Sequence, residues 1–255
     1  MKPRVAVFSF ASCEGCQLMI LECEDELLDL LGAIELVRFR EAMDPVGDQS
    51  HYDLVFIEGS MTRPSDVERL REIREKSDVL IALGACAWPA GVNALKNAQP
   101  LDQVRNYVYG EHAGVFETMP TAPIDAYVKT DFYLRGCPID RTEFLDCVKA
   151  LLLGKTPVFK DYPLCVECKL RENACLFHKG YWCLGPVVRA GCGAICPSFG
   201  DACEGCRGPI DNPNRDAHQD VLREFGLTVE DIMKRYQLFN TYLEQQRAKE
   251  EAQPK

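Results

Sequence analysis

Short runs of Val, Ile, Leu and Phe recur in the first half of the chain, separated by longer segments of mixed polarity. Such runs are typical of parallel strands that are buried on both faces of a sheet. Four of them cover residues 4–10, 34–39, 53–57 and 78–83. Between them, apolar residues at spacings of two, three and four predict a helix over 16–31, and a charged stretch entered through Pro64 predicts a helix over 65–76. This alternation predicts a doubly wound α/β fold.

The pattern changes character at Gly154. Before it, a fifth strand is expected near 127–134 and a helix over about 139–153. After it, residues 155–215 have little periodicity, many Gly and Pro, and eight cysteines, which indicates a fold organised by metal rather than by apolar burial. A polar helix is expected over 229–246. We predict a flavodoxin-like domain over 1–154, followed by a smaller irregular domain over 155–255.

Composition narrows the class of protein. No apolar run approaches the roughly 18–20 residues that span a bilayer, and the N-terminus has no charged-then-apolar leader. A net charge of −10 argues against a nucleic-acid partner. We therefore expect a cytoplasmic protein without direct membrane insertion. Because disulfides are unstable in that reducing compartment, the fourteen cysteines indicate metal ligation.

Four cysteines that are far apart in sequence each follow a predicted strand: Cys13, Cys16, Cys86 and Cys137. In an open α/β sheet the carboxyl ends of the strands share one edge, where ligands bind. Four thiolates at that edge can hold a [4Fe-4S] cluster. Zinc also takes four thiolates, so spacing alone leaves the metal open. A flavin is disfavoured, because the first strand–helix loop lacks the hydroxyl residues that would cradle its phosphate.

Eight further cysteines fall within 42 residues, with the spacing C-x2-C-x6-C-x7-C followed by C-x3-C-x6-C-x2-C. They make two four-cysteine sites. Paired cysteine knuckles serve both zinc and iron–sulfur clusters, so two structural zinc sites remain an alternative on composition and spacing.

Five strings, in the same order, resemble the small subunits of nickel–iron hydrogenases over essentially residues 4–210: SCEGCQ, LGACAWP, RGCP, CLFHKGYWCLGP and CPSFGDACEGCRGP. The likeness is greatest to the cytoplasmic multi-subunit group that includes sulfhydrogenases and methyl-viologen-reducing enzymes. It implies an electron-transfer subunit with no catalytic residue of its own. The hydrogen-activating nickel–iron site would lie in a separate large subunit, and electrons would pass to a further acceptor subunit that uses flavin and NAD(P), a ferredoxin or a disulfide reductase.

The resemblance also implies three [4Fe-4S] clusters and their order. The proximal set, nearest the nickel–iron site, would be Cys13, Cys16, Cys86 and Cys137. The medial set would be Cys192, Cys196, Cys203 and Cys206, and the distal set Cys165, Cys168, Cys175 and Cys183. Many periplasmic relatives have histidine in place of Cys165 and only three medial cysteines. A fourth medial cysteine implies a cubane of lower potential than a three-iron centre. Oxygen-tolerant relatives add two cysteines near the proximal cluster; this chain has none there, which predicts an oxygen-sensitive centre.

Several other residues have simpler interpretations. Cys23 and Cys147 lie on apolar helix faces and are expected to pack in the core. His178 is expected to be solvated or to lie beside the distal ligands without binding metal. Glu14, between two proximal cysteines, is either an ordinary loop carboxylate or a group that tunes the cluster, and Glu58 has an open role at the same edge.

Two other families remain as alternatives. The cluster-bearing subunit of respiratory complex I shares the α/β domain, but it typically has adjacent cysteines in its first motif and lacks the second cysteine region. A zinc-stabilised interaction protein with no redox role would account for the paired knuckles.

Overall fold

A computed structural model describes residues 2–44, 47 and 50–252. Within them, five strands form one parallel sheet in the order β2-β1-β3-β4-β5. The strands are β1 Arg4–Ser9, β2 Glu35–Phe39, β3 Tyr52–Glu58, β4 Ser77–Leu83 and β5 Phe132–Leu134. The central register pairs Phe8 with Ile57 and Ile57 with Ala82. The predicted doubly wound parallel sheet is confirmed.

The described residues also form α-helices, some of which cover both faces of this sheet. They are α1 Gly15–Leu21, α2 Glu24–Ala33, α3 Pro64–Glu75, α4 Gly84–Ala87, α5 Leu101–Tyr109, α6 Arg141–Leu152, α7 Leu164–Leu170, α8 Ile195–Ser198, α9 Arg215–Glu224 and α10 Val229–Glu251. Because strand side chains alternate between faces, Val7 and Phe56 pack with α1, α2 and α6, whereas Ala6 and Ile57 pack with α3. This two-sided burial explains why the strands are continuous apolar runs.

The first predicted helix was wrong as a single element. The chain leaves α1 at Glu22 and starts α2 at Glu24, whose φ of 43° lies in the left-handed region. Cys23, between the two helices, is fully buried in the apolar layer on that face of the sheet. Turning the chain at this point lets both short helices bury their apolar sides on the curved sheet.

The fifth strand is shorter than predicted. Residues Ile124–Ala126 form a 3₁₀ turn, and only Phe132–Leu134 pair with β4. Asp131 closes the ladder: its amide donates to the Leu80 carbonyl at 2.9 Å, and its carboxylate accepts from the Leu80 amide at 2.9 Å. The side chain thus takes the hydrogen bond that an extended strand would have made.

The cysteine-rich region has a small apolar core of its own. Leu184, Val187, Leu222, Ile232 and Tyr236 are among its buried members. The last helix, α10, is kinked at Asn240 and runs back over the first half of the chain, where Gln245 Nε2 donates to the Asn97 carbonyl at 3.0 Å. The domain division at Gly154 stays a prediction. In the described part of the chain, no helix is both long and apolar enough to span a bilayer.

Candidate iron–sulfur sites

The proximal set is assembled at the carboxyl edge of the sheet. Cys13 follows β1, Cys16 lies in the first turn of α1, Cys86 lies in α4 after β4, and Cys137 follows β5. Burial raises the pKa of Cys86 to about 12, and the nearby charges of Cys137 and Cys13 contribute to the rise. Burial likewise raises the pKa of Cys16, with contributions from Glu58, Cys86 and Cys137. The fold therefore brings together the four cysteines that sequence predicted as one site.

Small residues make room for these sulfurs. A Cβ at Gly84 would lie 2.2 Å from Cys16 Sγ, and one at Gly15 would lie 3.4 Å from Cys13 Sγ. The Ala85 amide donates to the Gly136 carbonyl at 2.7 Å, which ties the loop of Cys86 to the loop of Cys137. The Gly84 backbone is thus too close to Cys16 Sγ for any side chain, whereas a Cβ at Gly15 would make an ordinary contact with Cys13 Sγ.

Glu58 lies at the centre of this edge, because β3 runs between β1 and β4. It is 1% exposed, accepts from the Cys16 amide at 3.2 Å and accepts from Gln17 Nε2 at 2.8 Å. Burial raises its pKa, although these hydrogen bonds oppose the rise. Glu58, whose role sequence left open, fixes the start of α1 and hence the position of Cys16.

The distal set gathers around α7. Cys165 and Cys168 lie in that helix, and Cys175 and Cys183 lie on the segment that follows it. Burial raises the pKa of Cys165 to about 11, and the other three members add to the rise. A Cβ at Gly185 would lie 3.3 Å from Cys165 Sγ and 3.4 Å from Cys183 Sγ. These four sulfurs also form one group.

The medial set borders a cavity of about 930 Å³. Its lining includes all four members, Cys192, Cys196, Cys203 and Cys206, together with Cys137 of the proximal set. Burial raises the pKa of Cys206 to about 12, against a hydrogen bond from the Cys137 backbone and the charge of Arg207, which lower it. The cavity offers space for a cluster between thiols that are close to the proximal set.

Contacts between the sets put them in a row. Cys137 of the proximal set lines the same cavity as Cys206 and the other medial cysteines, and its backbone is close enough to lower the pKa of Cys206. At the other end of the medial set, the Cys203 amide donates to Cys183 Sγ at 3.4 Å, which joins the medial and distal sets. The medial set therefore lies between the other two, although it comes last in the sequence.

A buried carboxylate strengthens the medial–distal connection. Glu167 of α7 accepts from Lys160 Nζ at 2.6 Å and from the amides of Gly191 and Gly193 at 3.0 and 2.9 Å. Burial alone would raise its pKa, but these partners outweigh burial and lower it. Because the two glycines flank Cys192, Glu167 holds the medial loop against the distal helix.

Besides Glu167, sequence reasoning missed three polar residues here: Arg207, Glu143 and His218. Arg207 is buried beside Cys206 and pairs with Glu143 of α6 at 2.7 Å. His218 of α9 is buried, with Nε2 2.8 Å from the Cys183 carbonyl and Nδ1 against the Tyr236 hydroxyl. Arg207 lies inside the quoted string CEGCRGP, which was the one available signal. The other two lie outside every cysteine motif.

The structure also locates four other residues that the sequence singled out. Cys23 and Cys147 are 0% and 2% exposed and pack in the apolar layer beneath α1, α2 and α6. His178 is exposed in a 3₁₀ turn. Glu14 caps α1 with a left-handed φ of 66°, so its backbone conformation shapes the Cys13–Cys16 loop.

Comparison with known proteins identifies the family. A family model described as "NADH ubiquinone oxidoreductase, 20 Kd subunit" matches residues 13–151. The chain is 37% identical over 238 residues to the sulfhydrogenase 2 subunit delta of Pyrococcus furiosus, covering 92% of this chain and 98% of that one. It is 33% identical over 237 residues to a vhu-type F420-non-reducing hydrogenase subunit of Methanocaldococcus jannaschii, covering 82% of each. The chain belongs to the nickel–iron hydrogenase small-subunit family.

Solved structures agree with this hydrogenase family. An NAD⁺-reducing [NiFe]-hydrogenase chain is 27% identical, with a TM-score of 0.58 over 62% of this chain and 96% of that chain. A chain of the actinobacterial-type NiFe-hydrogenase from Ralstonia eutropha H16 is 16% identical, with a TM-score of 0.59 over 100% of this chain and 94% of that one; this likeness concerns the fold alone. The family model bears a complex I name, but the Pyrococcus match extends beyond residues 13–151 into the cysteine-rich region.

Proposed function

We propose that this hydrogenase subunit relays electrons through three [4Fe-4S] clusters, one on each of the proximal, medial and distal sets. The observation that carries the proposal is the row of thiols: Cys137 lines the same cavity as the medial cysteines, and the Cys203 amide donates to Cys183 Sγ. These two contacts connect the three sets of cysteines into one continuous path across the subunit. A scaffold that needed metal only for stability would have no reason to align its sites.

The spacing of the sulfurs favours cubanes over zinc. All fourteen cysteines, which lie in the described residues, are free thiols. Among the described residues, no three cysteine sulfurs lie within 4.8 Å of one another. Zinc–sulfur bonds of about 2.3 Å would hold tetrahedral thiolates about 3.8 Å apart. A cubane, which binds thiolates at its outer corners, requires a wider separation.

The clusters, when bound, supply one-electron redox centres. The residues of the chain hold them and set their surroundings. Glu58 and Glu167 fix the Cys16 and Cys192 loops through backbone amides. The apolar layer beneath α1 and the small core around Leu184 limit the access of water to the inner thiols. Hydrogen bonds to sulfur, such as those to Cys183 from Gly185 and Cys203, stabilise its thiolate.

The proposed partners follow from the ends of this row. The proximal end would face a large subunit that carries the nickel–iron site, and this chain contributes no catalytic residue. The distal end would face a subunit that accepts electrons through flavin and NAD(P), a ferredoxin or a disulfide reductase. We place the complex in the cytoplasm, which keeps the thiols reduced.

Metal analysis of the anaerobically purified complex tests this function. We expect about twelve iron and twelve sulfide per copy of this chain, in addition to those that the partner subunits hold, since three cubanes require that number. Electron paramagnetic resonance after reduction should give signals of interacting clusters. About two zinc per chain with no iron would support the scaffold alternative, and a colourless, paramagnetically silent complex would refute the relay.

A further inference from the structure

The most deeply buried charge in the cysteine-rich region belongs to the residue directly after Cys206. The side chain of Arg207 is 2% exposed. Its Nε donates to the Ala190 carbonyl at 2.8 Å, and its Nη1 donates to the Arg135 carbonyl at 2.6 Å. Ala190 lies two residues before Cys192, and Arg135 lies two residues before Cys137. One guanidinium therefore fastens three segments that carry proximal and medial cysteines.

Glu143 of α6, a helix that packs on the sheet, is the ion-pair partner of Arg207. Both of its carboxylate oxygens accept from Arg207 Nη2, at 2.7 and 2.8 Å. Gly191 packs directly over the pair: a Cβ there would lie 2.1 Å from Arg207 Nη2 and 2.8 Å from Glu143 Oε1. The pair, which we call the seam pair, is thus enclosed between α6 and the medial loop.

Gly208, which follows Arg207, packs against the segment that comes after β4. A Cβ at Gly208 would lie 2.7 Å from the Trp88 ring, and Trp88 lies two residues after Cys86. The Arg135 guanidinium covers the same ring, 3.8 Å from its centroid. The proximal and medial loops therefore pack against each other on both sides of the seam pair. This packing restricts changes in the distance between the two loops.

The seam pair also carries charge close to the medial thiols. Arg207 follows Cys206 directly in the chain, and both residues line the cavity that the medial cysteines border. Accepting an electron adds one negative charge to a cluster. A buried cation nearby stabilises that state, and a buried anion opposes it, because charges interact strongly in a medium of low polarity. Arg207 is covalently next to a medial ligand, whereas Glu143 contacts the guanidinium and is not among the residues that line the medial cavity.

We propose that Arg207 is a positioning residue of the electron relay, which fixes the proximal–medial separation and favours one-electron reduction of the medial cluster, while Glu143 opposes that effect. This inference rests on the proposed function. It assigns the two partners opposite influences on the same reduction step. A pair with a purely structural role has no such property, since loss of either partner would loosen the same contacts.

Redox titration of the whole, anaerobically purified complex, followed by electron paramagnetic resonance, tests the inference. Glu143→Gln keeps the shape of the side chain and removes its negative charge. We expect it to raise the equilibrium constant for one-electron reduction of the medial cluster about tenfold, which raises the reduction potential by about 59 mV. Arg207→Met should lower the equilibrium constant by a similar factor. Arg207→Lys keeps the charge, so its potential should stay closer to the wild type than that of Arg207→Met. The distal cluster of each sample serves as an internal reference and should not move.

A second buried pair provides a matched control. Arg215 and Glu244 are 16% and 9% exposed and join α9 to α10. Arg215→Met and Glu244→Gln remove the same groups from a pair that lies beside Leu184 but does not line the cavity of the medial cysteines. They should change stability without changing the medial potential.

The outcomes separate cleanly. Medial shifts of the same sign in Glu143→Gln and Arg207→Met, or no shift in either, would overturn the inference while leaving the relay intact. If Arg207→Met fails to assemble, Glu143→Gln decides alone, and loss of the medial cluster in that isosteric variant counts against the inference. Absence of clusters in the wild type would instead refute the proposed function.

Discussion

The sheet region and the cysteine-rich region differ in the interactions that stabilise their folds. The sheet buries two continuous apolar layers, with residues such as Val55 and Leu80 fully enclosed. The cysteine-rich region has short helices, long loops and one small apolar core, while three loops converge on two groups of thiols. Apolar burial is the main source of stability in the first region, whereas we propose that the second depends on clusters held by its sulfurs.

The two regions also differ in how they hold cysteines. The proximal loops stand on the ends of strands, so their positions are set by the sheet register. The medial and distal loops do not follow strands and are held by buried charged side chains. Glu167 accepts hydrogen bonds from the Gly191 and Gly193 amides, and Arg207 donates to two backbone carbonyls. The difference indicates that buried polar contacts position the cysteines that do not follow a strand.

The largest expected effect comes from withholding iron. Without clusters, we expect the region over 164–210 to open, because its four-thiol groups lose their common ligand, while residues 4–152 stay folded. Limited proteolysis with mass spectrometry should then find cuts concentrated between Cys165 and Cys206. Uniform cleavage along the chain, or full protection, would remove the distinction between the regions.

A single medial ligand should matter next. We expect Cys203→Ala to lower the iron content and abolish electron transfer from hydrogen to an external dye, since the middle of the row is interrupted. Cys147→Ala is the matched control: it removes a buried thiol from the sheet region and should cost only about 1 kcal/mol. Equal loss of iron in both variants would show that the effect is one of folding.

A glycine substitution sharpens the view of the proximal set. Gly84 has a φ of 79°, and a Cβ there would lie 2.2 Å from Cys16 Sγ. Gly84→Ala should therefore displace Cys16 and remove or broaden the proximal paramagnetic signal. Gly226 has a φ of 78° with nothing within 4 Å of its Cβ position, so Gly226→Ala carries only backbone strain of about 1–2 kcal/mol and should keep the signal.

The smallest effect concerns Glu58. In Glu58→Gln, one of the two acceptors becomes a donor facing a donor, and the expected cost is about 1–3 kcal/mol of stability. The measurement is the guanidinium concentration at which cluster absorbance is lost. Glu35→Gln, at an exposed site on β2, should shift that midpoint little. Equal midpoints for the two variants would mean that Glu58 does not fix the Cys16 loop.

Sequence predicted the features that repeat locally. Apolar runs located the strands, and cysteine spacing with the family motifs grouped the thiols into three sets of four. It could not predict the break at Glu24 or the early end of β5, because these depend on tertiary packing and on one side chain, Asp131, replacing a backbone partner. Nor could it pair Arg207 with Glu143, which are 64 positions apart and share no periodic pattern.

We propose that three iron centres lie in a row with the medial set in the middle. Anomalous diffraction from crystals of the anaerobic complex, measured at the iron and zinc absorption edges, would locate these centres. We expect three iron peaks within this chain, with the peak at Cys192, Cys196, Cys203 and Cys206 between the other two. Zinc peaks at the two C-terminal sets, or iron at that set lying at one end of the row, would contradict it.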